Sequence, residues 1–271
     1  MDSDNRILSS RRGRLQLITL NRPEKANSLT PSMLEQLKKS LLHAQQDDKV
    51  RVVVITGTGD NFTTGMDVNS LSNGYSPEQR ETMSKRMERL GAETASVIYH
   101  GKPTISAING RCMGMGVVYA LASDFRIAVD SATFKMPELD HSLYPGANCV
   151  MLMVQQLGIL KTKEILMTCR TYSAREFLAC GLLNEMHPLE VFMDHVMDLG
   201  KQLGRKNQDV LRFLKMHANH VPFLASYQEG SALEQAMFQA MFERDKEAYK
   251  QQAGKRFGID SAAYQPWGGL F

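Results

Sequence analysis

The residues of this chain that could do chemistry lie in a few short segments. Glu138 has the apolar neighbours Met136, Leu139 and Leu143. Such surroundings could raise a carboxyl pKa towards neutrality and fit it for proton transfer. Without further context, a loop glutamate reads as a solvated carboxylate. His141 stands three residues on and could line the same site, although a plain loop histidine is the default reading. Gly65, Gly114 and Gly116 permit close backbone approach. Met115 stands at the start of an inferred helix, whose positive end favours an anion. Seventeen methionines are present, and Met66, Met113, Met115 and Met136 could make an adaptable apolar pocket; ordinary core filling reads equally well.

Other signals are set aside. Gly57-Thr58-Gly59 follows a buried strand, but Phe62 stands where a dinucleotide fingerprint needs its third glycine. There is no G-x-x-x-x-G-K-[ST] loop. His217 and His220 could share a helix face, but no Cys or carboxylate nearby completes a ligand set, so they read as surface histidines and no metal site is expected. Cys112, Cys149, Cys169 and Cys180 form no C-x-x-C pair and read as reduced core thiols of a cytoplasmic protein.

Positioning these groups requires alternating strands and helices. Ile7–Ser10 and Arg14–Leu20 read as a hairpin or two adjacent strands around Gly13. Thr30-Pro31 starts a helix bearing Leu34, Leu37 and Leu41. Val52–Thr56, Thr104–Ala107 and Phe125–Val129 are short buried strands. Gly114–Ala122 is a buried helix. Asn69–Gln79 reads as a mobile loop, followed by a helix from about Glu81 towards His100. From Gly158 onward the pattern is helical, with a capping box at Ser173–Glu176. Leu189–Leu203, Gln208–His217 and Tyr227–Gln251 follow, the last with a Leu233, Met237, Phe238, Met241 stripe. The expected division is an α/β core over 1–200 and a helical region over 201–271.

Composition narrows the function. A net charge of +3 without a long basic run argues against nucleic acid as the main partner. No segment approaches the roughly 18 apolar residues of a membrane span. With a strand-like stretch beginning by Ile7 no signal peptide is expected, the acidic start argues against a transit peptide, and Gly269-Leu270-Phe271 is not an S-K-L signal.

Three segments, in order, resemble the crotonase superfamily of enoyl-CoA hydratases and isomerases, and the resemblance covers nearly the whole chain. They are Leu20-Asn21-Arg22-Pro23-Glu24-Lys25-Ala26-Asn27-Ser28-Leu29, Phe62-Thr63-Thr64-Gly65-Met66-Asp67-Val68, and Lys102 to Gly110 followed by Gly114-Met115-Gly116. The resemblance implies a ββα-spiral core, a helical C-terminal trimerisation region, and homotrimers or hexamers. It implies an acyl-CoA substrate, with coenzyme A as part of that substrate and no further cofactor.

By the same resemblance, the amides of Met66 and Met115 form an oxyanion hole. Removing a proton beside a thioester carbonyl puts charge on its oxygen, and each preorganised donor can be worth roughly 3–4 kcal/mol there. Many relatives have glycine at the position of Met115, so its side chain must point elsewhere. Lys25, Ala26, Ser28, Thr64, Gly65, Asp67, Val68 and Gly114 fall in the substrate-binding segments. Lys25, Lys102 and Arg22 are candidates for the CoA phosphates, and Lys255, Arg256 and Phe257 could reach a neighbouring subunit's CoA. Hydratases of the family use two glutamates. Val118 replaces the first, while Phe134-Lys135-Met136-Pro137-Glu138 keeps the second. A 1,3-proton shift needs only one base, so an enoyl-CoA isomerase with Glu138 as base leads. Tyr144, also a substrate-binding candidate, stands where some family decarboxylases place a tyrosine, but a packed or hydrogen-bonded tyrosine is the expected role. Hydration, decarboxylation, hydrolysis and a non-catalytic CoA- or partner-binding domain are the alternatives.

Overall fold

The computed structural model describes residues 6–67, 76–223, 226–236 and 239. Its first compact unit ends at Gln208 and its second is Asp209–Phe271. The first unit opens with an antiparallel pair, β1 (Ile7–Arg12) and β2 (Leu15–Leu20), in which Arg12 pairs with Leu15 across a tight turn. Helix α1 (Pro31–Gln46) starts where Thr30 caps it, its side chain accepting from Met33 N at 3.2 Å. It buries Leu34, Leu37 and Leu41 as their spacing requires.

A repeating unit follows. Strands β3 (Val52–Gly57) and β4 (Asn61–Thr63) lead to α2 (Pro77–His100). Strands β5 (Thr104–Ile108) and β6 (Arg111–Met113) lead to α3 (Met115–Ala122). Strands β7 (Phe125–Val129) and β8 (Thr133–Lys135) lead to α4 (Cys149–Thr168), broken at Gly158. The first strand of each turn joins one sheet and the second joins another. With β9 (Tyr172–Ser173) and β10 (Glu185–His187), the orders are β1-β2-β3-β5-β7-β10 and β4-β6-β8-β9. This is the ββα spiral. Val52 to Ile55 are wholly buried, so β3 reads as an unbroken apolar run rather than an alternation.

Helix α5 (Ala174–Ala179) begins at the expected Ser173–Glu176 capping box. Helix α6 (Leu189–Arg205) closes the unit against β3, β5 and β7. In the second unit α7 (Gln208–His220), from its second residue on, and residues 227–236 are helical. Apart from residue 239, the remainder of the expected Tyr227–Gln251 helix, with Met237, Phe238 and Met241, and the candidates Lys255, Arg256 and Phe257 lie outside the described residues. Among the described residues no helix is long and apolar enough to cross a membrane.

Helix α2 begins at Pro77, four residues before the expected start and inside the stretch read as loop. Ser76 and Gln79 form a reciprocal capping box, which turns a polar, proline-containing run into a helix start. Helix α4 likewise begins at Cys149, nine residues before the expected Gly158. Strands β4, β6, β8 and β9 hold two or three residues each, too few to show a period, so sequence reading misses them.

Candidate active site

Two loops meet at a cavity of about 420 Å³ lined by Met66, Met87, Glu88, Met115, Glu138 and Tyr144, among others. The first loop leaves β4. A parallel bridge pairs Leu29 with Met66: Leu29 N donates to Gly65 O at 2.8 Å and Asp67 N donates to Leu29 O at 2.9 Å. Bridge geometry turns the N–H of Met66 to the opposite side. The second loop leads from β6 into α3. Met115 is the first residue of that helix, so its N–H has no partner within it. Neither amide has a hydrogen-bond acceptor among the described residues.

Two glycines let the loops touch. Gly65 has φ +88°, and a Cβ there would lie 2.9 Å from Met113 O and 3.3 Å from Met115 N. Gly114 has φ 51° and ψ −118°, and its N–H is tied to Lys135 O at 3.0 Å. A Cβ on Gly114 would lie 3.1 Å from Glu138 Oε1. The carboxylate therefore rests against the residue that precedes the free Met115 amide.

Glu138 starts a short 3₁₀ turn, Glu138–His141. Its Oε2 is buried without a hydrogen-bond partner. Burial pushes its pKa up, opposed by its own backbone N–H and by His141. His141 and Leu143 line the cavity beside it. Val118 is buried in α3 and is 2% exposed.

The bulk of Met115 finds its place on α2. A Cβ at Gly91 would meet Met115 Cε at 2.7 Å and Met66 Cε at 2.8 Å, so the absent side chain leaves room for both methionines. Ser84, Met87, Glu88 and Gly91 recur at helical spacing and turn one face of α2 to these groups. Glu88 was missed by sequence reasoning. It has no partner among the described residues, and its Oε1 is 3.1 Å from where a Gly146 Cβ would be. The i, i+3, i+4, i+7 spacing of these four residues was the available signal.

Several candidates take other positions. Met113 and Met136 do not line the cavity, and Met136 is core. Tyr144 is 81% exposed at the cavity, not packed as expected, because it follows the 3₁₀ turn out to the surface. Arg22 is not a free cation for phosphate: it donates to Asp67 Oδ2 at 2.7 Å and to Ser28 Oγ at 2.9 Å, joining the two segments expected to bind substrate. Asp67 and Ser28 thus act on Arg22. Lys102 gives its ammonium to Ala44 O and Asp47 O at the end of α1. Lys25 remains exposed at the tip of its turn. Ala26 O accepts from Thr64 N at 3.2 Å, and Val68 lies outside the described residues.

Asn27, fully buried, ties this turn to the β3–β4 connection. Its Nδ2 donates to Thr58 O and Asn61 O, and its Oδ1 accepts from Arg22 N. The cysteines are free thiols. Burial, with Glu138 nearby, pushes Cys149 up to about 12, and burial raises Cys112 as well, so neither is poised as a nucleophile.

The spiral brings two amides without acceptors among the described residues beside a half-buried carboxylate, a combination chemically able to stabilise an oxyanion next to a proton-transfer group. The chain belongs to the enoyl-CoA hydratase/isomerase family, whose model matches residues 11–257. It is 30% identical over 202 residues to the hydroxycinnamoyl-CoA hydratase-lyase of Pseudomonas fluorescens, covering 74% of this chain and 73% of that one. It is 27% identical over 232 residues to the 2,3-dehydroadipyl-CoA hydratase of Escherichia coli (strain K12), covering 86% and 88%. A crystal structure of the enoyl-CoA hydratase from Bacillus anthracis superposes with a TM-score of 0.85 at 26% identity, covering 93% and 96%. An acyl-CoA substrate is consistent with this family.

Proposed function

We propose that the protein is a Δ3,Δ2-enoyl-CoA isomerase with Glu138 as its single base. The supporting observation is that the Glu138 carboxylate lies against Gly114, next to the Met115 amide, while Val118, which by the resemblance takes the place of a second glutamate, is buried and apolar. Glu138 removes a proton from C2 of a 3-enoyl thioester. The electron pair moves towards the thioester oxygen, which the N–H groups of Met66 and Met115 stabilise. Glu138 then returns the proton to C4, leaving a 2-enoyl thioester of unchanged mass. The raised pKa of Glu138 suits a group that must both take and give a proton. No cofactor enters beyond the CoA of the substrate, which Lys25, Ala26 and the adjoining loop contact. A trimeric or hexameric assembly belongs to the same reading, and sedimentation analysis tests it.

A second reading is hydration. Glu88 supplies another carboxylate to the cavity, and the two relatives compared above are named for hydratase activity. Incubation with 3-enoyl-, 2-enoyl- and malonyl-type CoA thioesters separates the readings. Conversion of 3-enoyl to 2-enoyl without mass change, abolished in Glu138→Gln, supports the isomerase. Gain of water, lost in Glu88→Gln, favours the hydratase. Loss of carbon dioxide would indicate a decarboxylase, and CoA binding without turnover a binding domain.

A further inference from the structure

The edge of the large sheet away from β1 bears a second group of chemically able side chains. Glu185 and His187 are two apart on β10, so they project to the same side of the strand. After Pro188 the chain enters α6, which packs back on the sheet and carries His195 in its second turn. The rings of His187 and His195 stack with centroids 3.7 Å apart and 12° between their planes. His187 Nε2 lies 2.8 Å from Glu185 Oε2. One nitrogen or oxygen from each of the three residues falls within 4.8 Å of the others.

The backbone beneath this group is fixed. Glu185, Met186 and His187 pair with Ile127, Ala128 and Val129 of β7. His187 O accepts from Asp130 N at 2.9 Å, and Asn184 exchanges two bonds with the Arg126 backbone. A rigid strand therefore presents two of the three side chains, and a packed helix presents the third.

We propose that Glu185, His187 and His195 form a binding site for a zinc-type divalent transition-metal ion. Two imidazole nitrogens and one carboxylate oxygen are a donor set that zinc accepts, with a fourth position left for water. Imidazole donors favour Zn²⁺, Ni²⁺ or Cu²⁺ over Mg²⁺ and Ca²⁺. Bonds of about 2.1 Å at the tetrahedral angle put ligand atoms about 3.4 Å apart. The two rings lie nearly parallel, so binding one ion requires them to turn out of their stack until both nitrogens face a common point; Glu185, 44% exposed, and His195, at the surface, have room to turn. The ion ties the start of α6 to the sheet edge across Pro188. None of the three residues lines the Glu138 cavity, so the site stands apart from the proposed reaction. Sequence reading weighed only His217 and His220 for metal, because the 185, 187, 195 set is assembled by the return of α6.

The test is calorimetric titration of the full-length, tag-free, chelator-stripped protein with ZnCl₂, and with MgCl₂ in parallel. The expected result is one zinc per chain with no magnesium binding. His187→Ala and His195→Ala each weaken zinc binding at least about tenfold. Glu185→Gln, close in shape and checked for folding by circular dichroism, weakens it similarly. His217→Ala with His220→Ala leaves it unchanged. Zinc also raises the Tm of the wild type but not that of the His187→Ala, His195→Ala double variant. Absence of saturable binding up to roughly 0.1 mM zinc, or zinc binding that survives in the double variant, overturns the proposal.

Discussion

Gly114→Ala perturbs the candidate site at its narrowest point. Gly114 has φ 51° and ψ −118°, a combination that residues with a Cβ avoid. Holding alanine there costs about 1–3 kcal/mol. At roughly 2–4 °C per kcal/mol for a domain of this size, Tm should fall by about 2–12 °C. The new Cβ would stand 3.1 Å from Glu138 Oε1, so one of the two must yield by a few tenths of an ångström. Glu138 Oε2 has no hydrogen bond to hold it, so the carboxylate yields more easily than the loop. If the backbone also relaxes towards negative φ, the Met115 N–H turns out of place. Losing one such donor costs about 10²–10³ in kcat. The assay is steady-state turnover of a 3-enoyl-CoA together with thermal unfolding by circular dichroism. A fall in kcat with KM changed less than about threefold is expected, because the turn around Ala26, proposed to contact CoA, is untouched. Wild-type kcat at wild-type Tm would refute the reasoning, as would a loss confined to KM.

Substitutions at Glu138, Asn27 and Gly91 have further expected outcomes. Glu138→Gln should lower kcat by about 10²–10⁴. In the wild type the acid limb of kcat/KM should lie above the ordinary carboxylate value of 4.5, because burial raises Glu138. A raised folded-state pKa means that the folded protein holds this proton more tightly than the unfolded chain. The resulting stability is present below the ordinary value and is lost as pH rises through the raised one, so the Gln variant should gain Tm relative to wild type over that window; parallel Tm curves would contradict it. Asn27→Ala strips partners from Thr58 O, Asn61 O and Arg22 N in a buried position, and should destabilise by about 2–4 kcal/mol in denaturant titrations. Gly91→Ala should be near neutral in Tm, since helix propensity gains about 1 kcal/mol while only flexible methionine ends must move. It should raise KM for longer acyl chains by pushing Met66 and Met115 towards the cavity, and chain-length-independent kinetics would argue against that.

What the sequence determined alone was local or motif-borne. The Thr30 and Ser173 caps, the apolar run of β3 and the helical face of α1 depend on neighbours a few residues away, so they could be read directly. Gly65 and Gly114 were legible because close backbone approach demands glycine, whereas Glu138 stood out only through the family pattern Phe134-Lys135-Met136-Pro137-Glu138. The tertiary structure decided what depends on distant partners. It committed Arg22 to Asp67 and Lys102 to the end of α1, which sequence could only count as free cations. It placed Glu88 in the cavity, matched Gly91 to the bulk of Met115, and set Tyr144 at the surface. It also paired strands too short to show a period, and laid His195 over His187. For the ion pairs, the short strands, Gly91 and the histidine pair the deciding quantity is a contact between segments far apart in the chain; helical spacing could group Glu88 with its face but not say what that face meets.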